Sequence, residues 1–375
     1  MKAKSAWMAR LSTETFTQLG RPLPLTLKRV RNQSELERRR PQNPVKPYPY
    51  REDDVTFTDT AANAVLVGTL TIPPGKGPFP AAVLISGSGR HDRDESLMGH
   101  KPFLVLADAL TRKGILVLRY DKRGVGKSTG NYAQATTADF ADDAEAGLRY
   151  LETRPEANPH RLGFIGHSEG GVIAPIVAAR NRDVAFIVLL AGTGVPGAEL
   201  LLAQHRLVAL AAGVPPAEVE RQSATEKEIL ELVEHTPDNA AVERQIHDKF
   251  AGKPEEAQIG SQVKTMTSPW FRYFLTYDPA TALRRVQCPL LALNGSLDLQ
   301  VPPAENLPAI RQALQEGGNR HFELDEMPGL NHLFQHARTG AVSEYGEIEE
   351  TMAPEVLDKI ATWILQQPPI VAPQS

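Results

Sequence analysis

The 375-residue sequence contains one cysteine, Cys288. That excludes an intramolecular disulfide framework and any cysteine-built zinc ribbon. Long apolar runs are also missing. The strongest, Val184 to Gly192, is strand-sized and well short of the ~18 residues a membrane helix needs. The opening MKAKSAWMARLSTETF begins with lysines but lacks the apolar core of roughly 7–15 residues of a secretory leader. As written, the chain is expected in the cytoplasm, or exported if it is N-terminally shortened. Disorder is excluded by composition, since 41% hydrophobic and 23% charged residues are ordinary for a packed globular chain.

The formal charge of −4 hides an asymmetry. Residues 1–51 hold 12 Lys/Arg against 3 Asp/Glu, a net of +9, and the remainder nets −13. A basic arm can address nucleic acid or an anionic membrane. Here the charges are scattered among prolines, with only Arg38-Arg39-Arg40 contiguous. The arm therefore reads as a solvated segment against an acidic body, with no nucleic-acid partner and no membrane span.

Residues 15–30 alternate weakly, and RPQNPVKPYPY over 40–50 is too rich in proline for helix. It reads as an extended linker after an accessory segment. From Asp54 the pattern becomes regular. Val55–Asp59 and Val65–Ile72 alternate as a hairpin would. A continuous apolar run at Ala81–Ile85 and largely apolar segments at Ile115–Tyr120, Arg161–Gly166 and Val184–Leu190 predict strands buried on both faces. Helical patterns lie between them at 102–113, 139–151 and 170–180. That alternation predicts an α/β fold with a mostly parallel sheet flanked by helices. The rhythm breaks from Pro196 to Tyr277, where helical spacing replaces strands, and resumes with strands at 289–294 and 321–327 and helices at 303–315 and 354–366. The expected organisation is an N-terminal extension and linker (1–50), a core in two parts (51–195 and 281–375) and a helical cap insertion (196–280). Gly194, Gly197 and Pro279 at its ends are compatible with hinges or with ordinary turns.

The most informative residues are Gly166-His167-Ser168-Glu169-Gly170. They form G-x-S-x-G between a predicted strand and a predicted helix, the setting in which a sharp turn lifts a serine hydroxyl above the sheet edge. A serine nucleophile needs a base and an orienting acid. Asp298 and His332 follow in that chain order, each just past a predicted strand, at the edge where open α/β sheets place their sites. The plainer readings are a capping serine, a turn aspartate and a surface histidine; order and placement together favour the triad. Asp325 and His336 are rivals. Asp325 falls inside a strand pattern, and the His332/His336 spacing lacks the glutamate of a zinc-binding H-E-x-x-H. No metal or organic cofactor is expected.

Oxyanion donors are expected from the backbone N–H of Glu169 and from the loop Ser86-Gly87-Ser88-Gly89, with Ser88 preferred. Asp121 to Ser128 superficially resembles a phosphate loop, but Asp121 stands where the first glycine is required. That stretch reads as a structural loop, with Asp121 and Arg123 tying down a strand end. The aromatics Trp270, Phe271 and Phe274 are expected to bind substrate, although packing of the cap on the body would explain them equally.

Five motifs together resemble the α/β-hydrolase superfamily, in its branch of bacterial carboxylesterases and serine-aminopeptidase-like hydrolases. They are SGSGRHDRDE (86–95), RYDKRGVGKSTG (119–130), GHSEGG (166–171), NGSLDLQVP (294–302) and GLNHLFQ (329–335). LGRPLPLTLKRV (19–30) is similar to the tail of an accessory module that some relatives carry, many of them exported. The resemblance implies Ser168, Asp298 and His332 as nucleophile, acid and base, Ser88 and Glu169 as oxyanion donors, and a small acyl ester of short to medium chain as substrate. It leaves an aminopeptidase or amidase open, with Glu199 or Glu234 as candidates to hold a substrate amine. A non-catalytic binding protein is a third reading, disfavoured by the intact triad. A homodimer is left open.

Overall fold

Strands that are apolar throughout must be covered on both faces, and the elements of this chain are arranged to do that. The computed structural model describes residues 40–252 and 256–370, with a short antiparallel ladder of β1 (Thr17–Gln18) and β2 (Arg21–Pro22). The remainder of the basic arm, including most of 15–30, lies outside the described residues.

The main sheet comprises β3 (Arg51–Asp59), β4 (Ala64–Ile72), β5 (Phe79–Ile85), β6 (Leu116–Tyr120), β7 (Ala157–His167), β8 (Phe186–Leu190), β9 (Leu290–Gly295) and β10 (Phe322–Met327). Their spatial order is β10-β9-β8-β7-β5-β6-β4-β3. β4 pairs antiparallel with both β3 and β6, and the other pairings are parallel. The pleat sends alternate residues of β5 to opposite sides. Ala81, Val83 and Ile85 enter the core under α2 (Thr137–Glu152), α3 (Gly170–Ala178) and α10 (Pro303–Glu316). Ala82 and Leu84 enter the core under α1 (Pro102–Arg112) and α12 (Pro354–Gln366). Each fully buried Leu, Ile or Val contributes about 1.5–3 kcal/mol relative to exposure.

β3 begins at Arg51, four residues before the alternation that predicts it. Edge strands tolerate charged side chains because one flank is solvated, and Arg51 to Asp54 pair with Ile72 to Thr69. The proline-rich stretch also differs from the extended linker expected. The Arg40 guanidinium donates to the carbonyls of Met98, Gly346 and Ile348, and Gln42 bonds Met352. These bonds tie the stretch to the body.

Between β8 and β9 run α4 (Gly197–Ala211), α5 (Pro216–His235), α6 (Asn239–Phe250), α7 (Glu256–Met266) and α8 (Pro269–Thr276), followed by α9 (Ala280–Leu283). The helices from α4 to α8 share a core of their own that includes Leu201, Ile229, Val233, Val242 and Ile246. The segment's ends meet, with the Gly197 N–H donating to the Tyr277 carbonyl at 3.4 Å. A Cβ on Gly197 would lie 1.9 Å from the Phe274 carbonyl oxygen, and the Gly194 N–H is held by Asn306 Oδ1. Both glycines are there for close packing, which favours the turn reading over free hinges. Among the described residues no helix is long and apolar enough to cross a membrane.

The 121–128 loop is the strand-end tie expected. Asp121 pairs with Arg93 at 2.8 Å, and the buried Arg123 guanidinium meets Asp143 at 2.7 Å and Asp59 at 2.9 Å. α11 (Val342–Tyr345) closes the last loop before α12.

Candidate active site

Ser168 sits in the turn from β7 to α3 with φ +53°, a left-handed backbone that side chains other than glycine adopt at a cost. The surrounding glycines make room for it. A Cβ on Gly166 would lie 2.0 Å from the Gly170 carbonyl, and one on Gly170 would lie 2.0 Å from that of Ile85. The turn is pinned to the next strand, since the Ser168 N–H donates to Leu190 O at 2.8 Å.

His332 and Asp298 come together from the loops after β10 and β9. The His332 Nδ1 lies 2.8 Å from Asp298 Oδ2, and both side chains are buried. Asp298 Oδ1 accepts the N–H groups of Gln300 and Val301 at 2.8 and 2.9 Å. An ionised carboxylate only accepts, so Nδ1 carries the proton and Nε2 is left as the basic nitrogen. Ser168 and His332 line one cavity of about 620 Å³ together with Ser88, Trp270 and Phe274. That arrangement has the components of nucleophilic acyl transfer: a hydroxyl and an imidazole facing one cavity, the imidazole oriented by a carboxylate.

On the loop after β5 the Gly87 N–H is already taken by Glu95 Oε1 at 2.7 Å. Ser88 lines the cavity, and its carbonyl is held by His91 Nε2 at 2.8 Å. The Glu169 side chain is not part of the cavity wall; its carboxylate meets Lys122 Nζ at 3.1 Å, Thr137 Oγ1 at 2.8 Å and Trp270 Nε1 at 2.7 Å. Lys122 also donates to the Gly87 carbonyl at 2.7 Å. One ammonium thus bridges the β5 loop and the residue after Ser168. The sequence reading gives this loop's structural roles to Asp121 and Arg123 and none to Lys122. A lysine two residues past a fully buried strand is the signal that points to it.

The aromatic group divides. Trp270 and Phe274 stack with centroids 5.5 Å apart and line the cavity. Phe271 does not belong to the cavity wall. It is 2% exposed and packs into the helical core with Leu275, because the helical period puts positions 270 and 274 on one face and 271 and 275 on another. Asp325 lies off the cavity and pairs with Lys359, while His336 is exposed between Glu350 and Glu355. Glu199 and Glu234 are exposed and are not on the cavity wall.

A family model described as serine aminopeptidase, S33, matches residues 101–337. Esterase EstD of Thermotoga maritima is 27% identical over 326 residues, covering 86% of this chain and 69% of that protein. The uncharacterized protein YfhR of Escherichia coli is 28% identical over 148 residues, 39% of this chain and 49% of its own. Among solved structures, the Pyrococcus furiosus esterase Pf2001 aligns over 92% of this chain and 97% of its own, with TM-score 0.53 and 15% identity. Hypothetical protein PA2218 of Pseudomonas aeruginosa aligns over 92% of this chain and 100% of its own, with TM-score 0.55 and 16% identity. At that identity the structures show the fold, which is that of the α/β hydrolases.

Proposed function

This chain belongs to the serine aminopeptidase, S33 family of hydrolases, and from that premise we propose that it is a serine carboxylesterase acting on short- to medium-chain acyl esters. In this reading His332 Nε2 takes the proton of Ser168, whose oxygen attacks the ester carbonyl, and Asp298 steadies the imidazolium that forms. The alkoxide leaves with the proton from His332. Water, deprotonated by the same nitrogen, then releases the acid from the acyl-serine. The developing oxyanion is received by the N–H groups of Ser88 and Glu169; loss of one such donor typically costs ~10²–10³ in turnover.

The observation that carries the choice of ester over aminopeptide bond is the charge of the cavity wall. Among the described residues Glu95 is the one carboxylate on that wall, and it is engaged by the Gly87 N–H and by His167. Arg90 and Lys264 line the same cavity. A free substrate ammonium would meet cations there and no available counter-charge. The similarity to Esterase EstD supports the same choice.

The test is hydrolysis of p-nitrophenyl acetate, butyrate, octanoate and palmitate beside an amino-acid p-nitroanilide. Each methylene buried against Trp270 and Phe274 is worth up to ~0.8 kcal/mol, about fourfold in kcat/KM. Activity is expected to rise from acetate, peak at butyrate or octanoate, and fall at palmitate. Dominant anilide cleavage would overturn the ester assignment in favour of the peptidase.

A further inference from the structure

We propose that Glu95 and His167 form a buried carboxylate–imidazolium clamp that positions the catalytic base, the nucleophile turn and the oxyanion loop together. The inference rests on the reading of Ser168 and His332 as nucleophile and base. Glu95 and His167 are then positioning residues acting through His332, Ser168 and Ser88.

His167 directly precedes Ser168 and is buried. Its Nδ1 lies 3.0 Å from Glu95 Oε1, and its Nε2 lies 3.1 Å from the backbone carbonyl oxygen of His332. A neutral imidazole carries one N–H, and its second nitrogen is a lone pair. A carbonyl on one side and a carboxylate on the other leave no place for that lone pair, so both nitrogens donate. Glu95 Oε1 already accepts the Gly87 N–H at 2.7 Å, which favours the carboxylate as acceptor and keeps the shared proton on Nδ1.

The pair therefore touches three loops at the carboxyl edge of the sheet. Glu95 holds Gly87, the neighbour of Ser88. His167 is part of the turn that presents Ser168, and its second N–H holds the backbone of His332. The groups facing the pair are consistent with this charge state. The His332 ring lies 4.9 Å from that of His167, with Asp298 behind it. His91 and Lys122 are the other titratable groups that act on Glu95 or its neighbours. Burial alone would drive His167 towards the neutral form. The charge and hydrogen bond of Glu95, with the His332 carbonyl, outweigh it and hold His167 above the ordinary 6.5. Burial likewise opposes the Glu95 charge, and His167, His91 and the Gly87 N–H outweigh it and hold the carboxyl below 4.5. The stabilisation from Glu95 is present above 4.5 and lost as pH falls through its lowered value. That from His167 is fully present below 6.5 and lost as pH rises through its raised value. The clamp is thus complete between 4.5 and 6.5 and opens on the alkaline side.

The consequence is a second titration in the activity profile. The acid limb of kcat/KM reports the base, and the clamp adds an alkaline limb as His167 loses its proton. The test compares wild type, Glu95→Gln and Ser168→Ala on p-nitrophenyl butyrate from pH 5 to 10. The Glu95→Gln variant is expected to move the alkaline limb down by about one pH unit. It should also lower kcat about 10- to 100-fold at pH 6, with little change in KM, because misplacing the reacting groups by an ångström costs about that much. Unchanged pH dependence in Glu95→Gln, with Ser168→Ala inactive, would overturn the clamp and leave the esterase standing. Residual activity in Ser168→Ala equal to wild type would instead overturn the triad. Nitrogen-15 histidine spectra of the wild type read the clamp without any turnover, with His167→Asn used for assignment. Both His167 nitrogens should carry protons at pH 6, and a singly protonated ring there would refute the proposal even if Glu95→Gln fails to fold.

Discussion

Ser168→Ala is expected to lower kcat on p-nitrophenyl butyrate by about 10⁵- to 10⁶-fold while leaving the folded protein intact. Losses of that size follow removal of a nucleophile that works as a unit with its base, and the residue of catalysis comes from the oxyanion donors and binding. Because Ser168 has φ +53°, a paired variant separates chemistry from conformation. Alanine keeps the Cβ that makes a left-handed backbone costly by roughly 1–2 kcal/mol, and glycine removes it at some cost in chain entropy. Ser168→Gly should therefore be as inactive as Ser168→Ala yet more stable by roughly 1 kcal/mol. Steady-state assays and urea melts measure the two effects. Alanine and glycine variants of equal stability would mean that the turn carries no strain.

The second large effect is on stability. Lys122→Met is expected to cost about 3–5 kcal/mol, the typical penalty for stripping one partner from a buried ion pair. The side chains of Lys122 and Glu169 are 3% and 0% exposed, so solvent cannot take over from the missing ammonium. Thr137 and Trp270 continue to donate to the Glu169 carboxylate, but neither neutralises it. Adding Glu169→Gln should restore a substantial part of the loss, since the uncompensated charge goes with it and neighbouring substitutions couple by up to ~3 kcal/mol. Urea midpoints of the single and double variants decide the matter. A Lys122→Met protein within about 1 kcal/mol of wild type would show that the pair is not acting as a buried ion pair.

The sheet was readable because its strands declare themselves. FIVLL over 186–190 and AAVLI over 81–85 have no polar position that would let one face meet water. The helices that cover them are bounded by clear signals, such as Gly114 after α1 and the capping box of Thr136 and Asp139 at the start of α2. The meeting of Asp298 with His332 was legible for a different reason: each sits one loop beyond a strand, so the chain order and the sheet edge bring them together. What the sequence concealed is pairing across distance. Nothing local links Glu95 to His167 or Lys122 to Glu169, since each pair spans loops that only the parallel sheet brings together. For Phe271, by contrast, local information does exist. Reading 269–276 as a helix would have separated it from Trp270 and Phe274 by face alone.

The bond that joins Gly197 to Tyr277 bears on how the chain reaches this fold. Pairing β8 with β9 asks the polypeptide to close a loop running from Leu190 to Leu290. Once the helices have condensed and their ends have met, the open excursion shrinks roughly fivefold, which lowers the closure entropy by about 1.4 kcal/mol. The sheet then encounters its long interruption as a short connection. Additions or deletions inside the helical segment change little of what β8 and β9 must overcome to find each other, so the wall facing Ser168 is free to vary in size and chemistry while the strand order beneath it stays fixed.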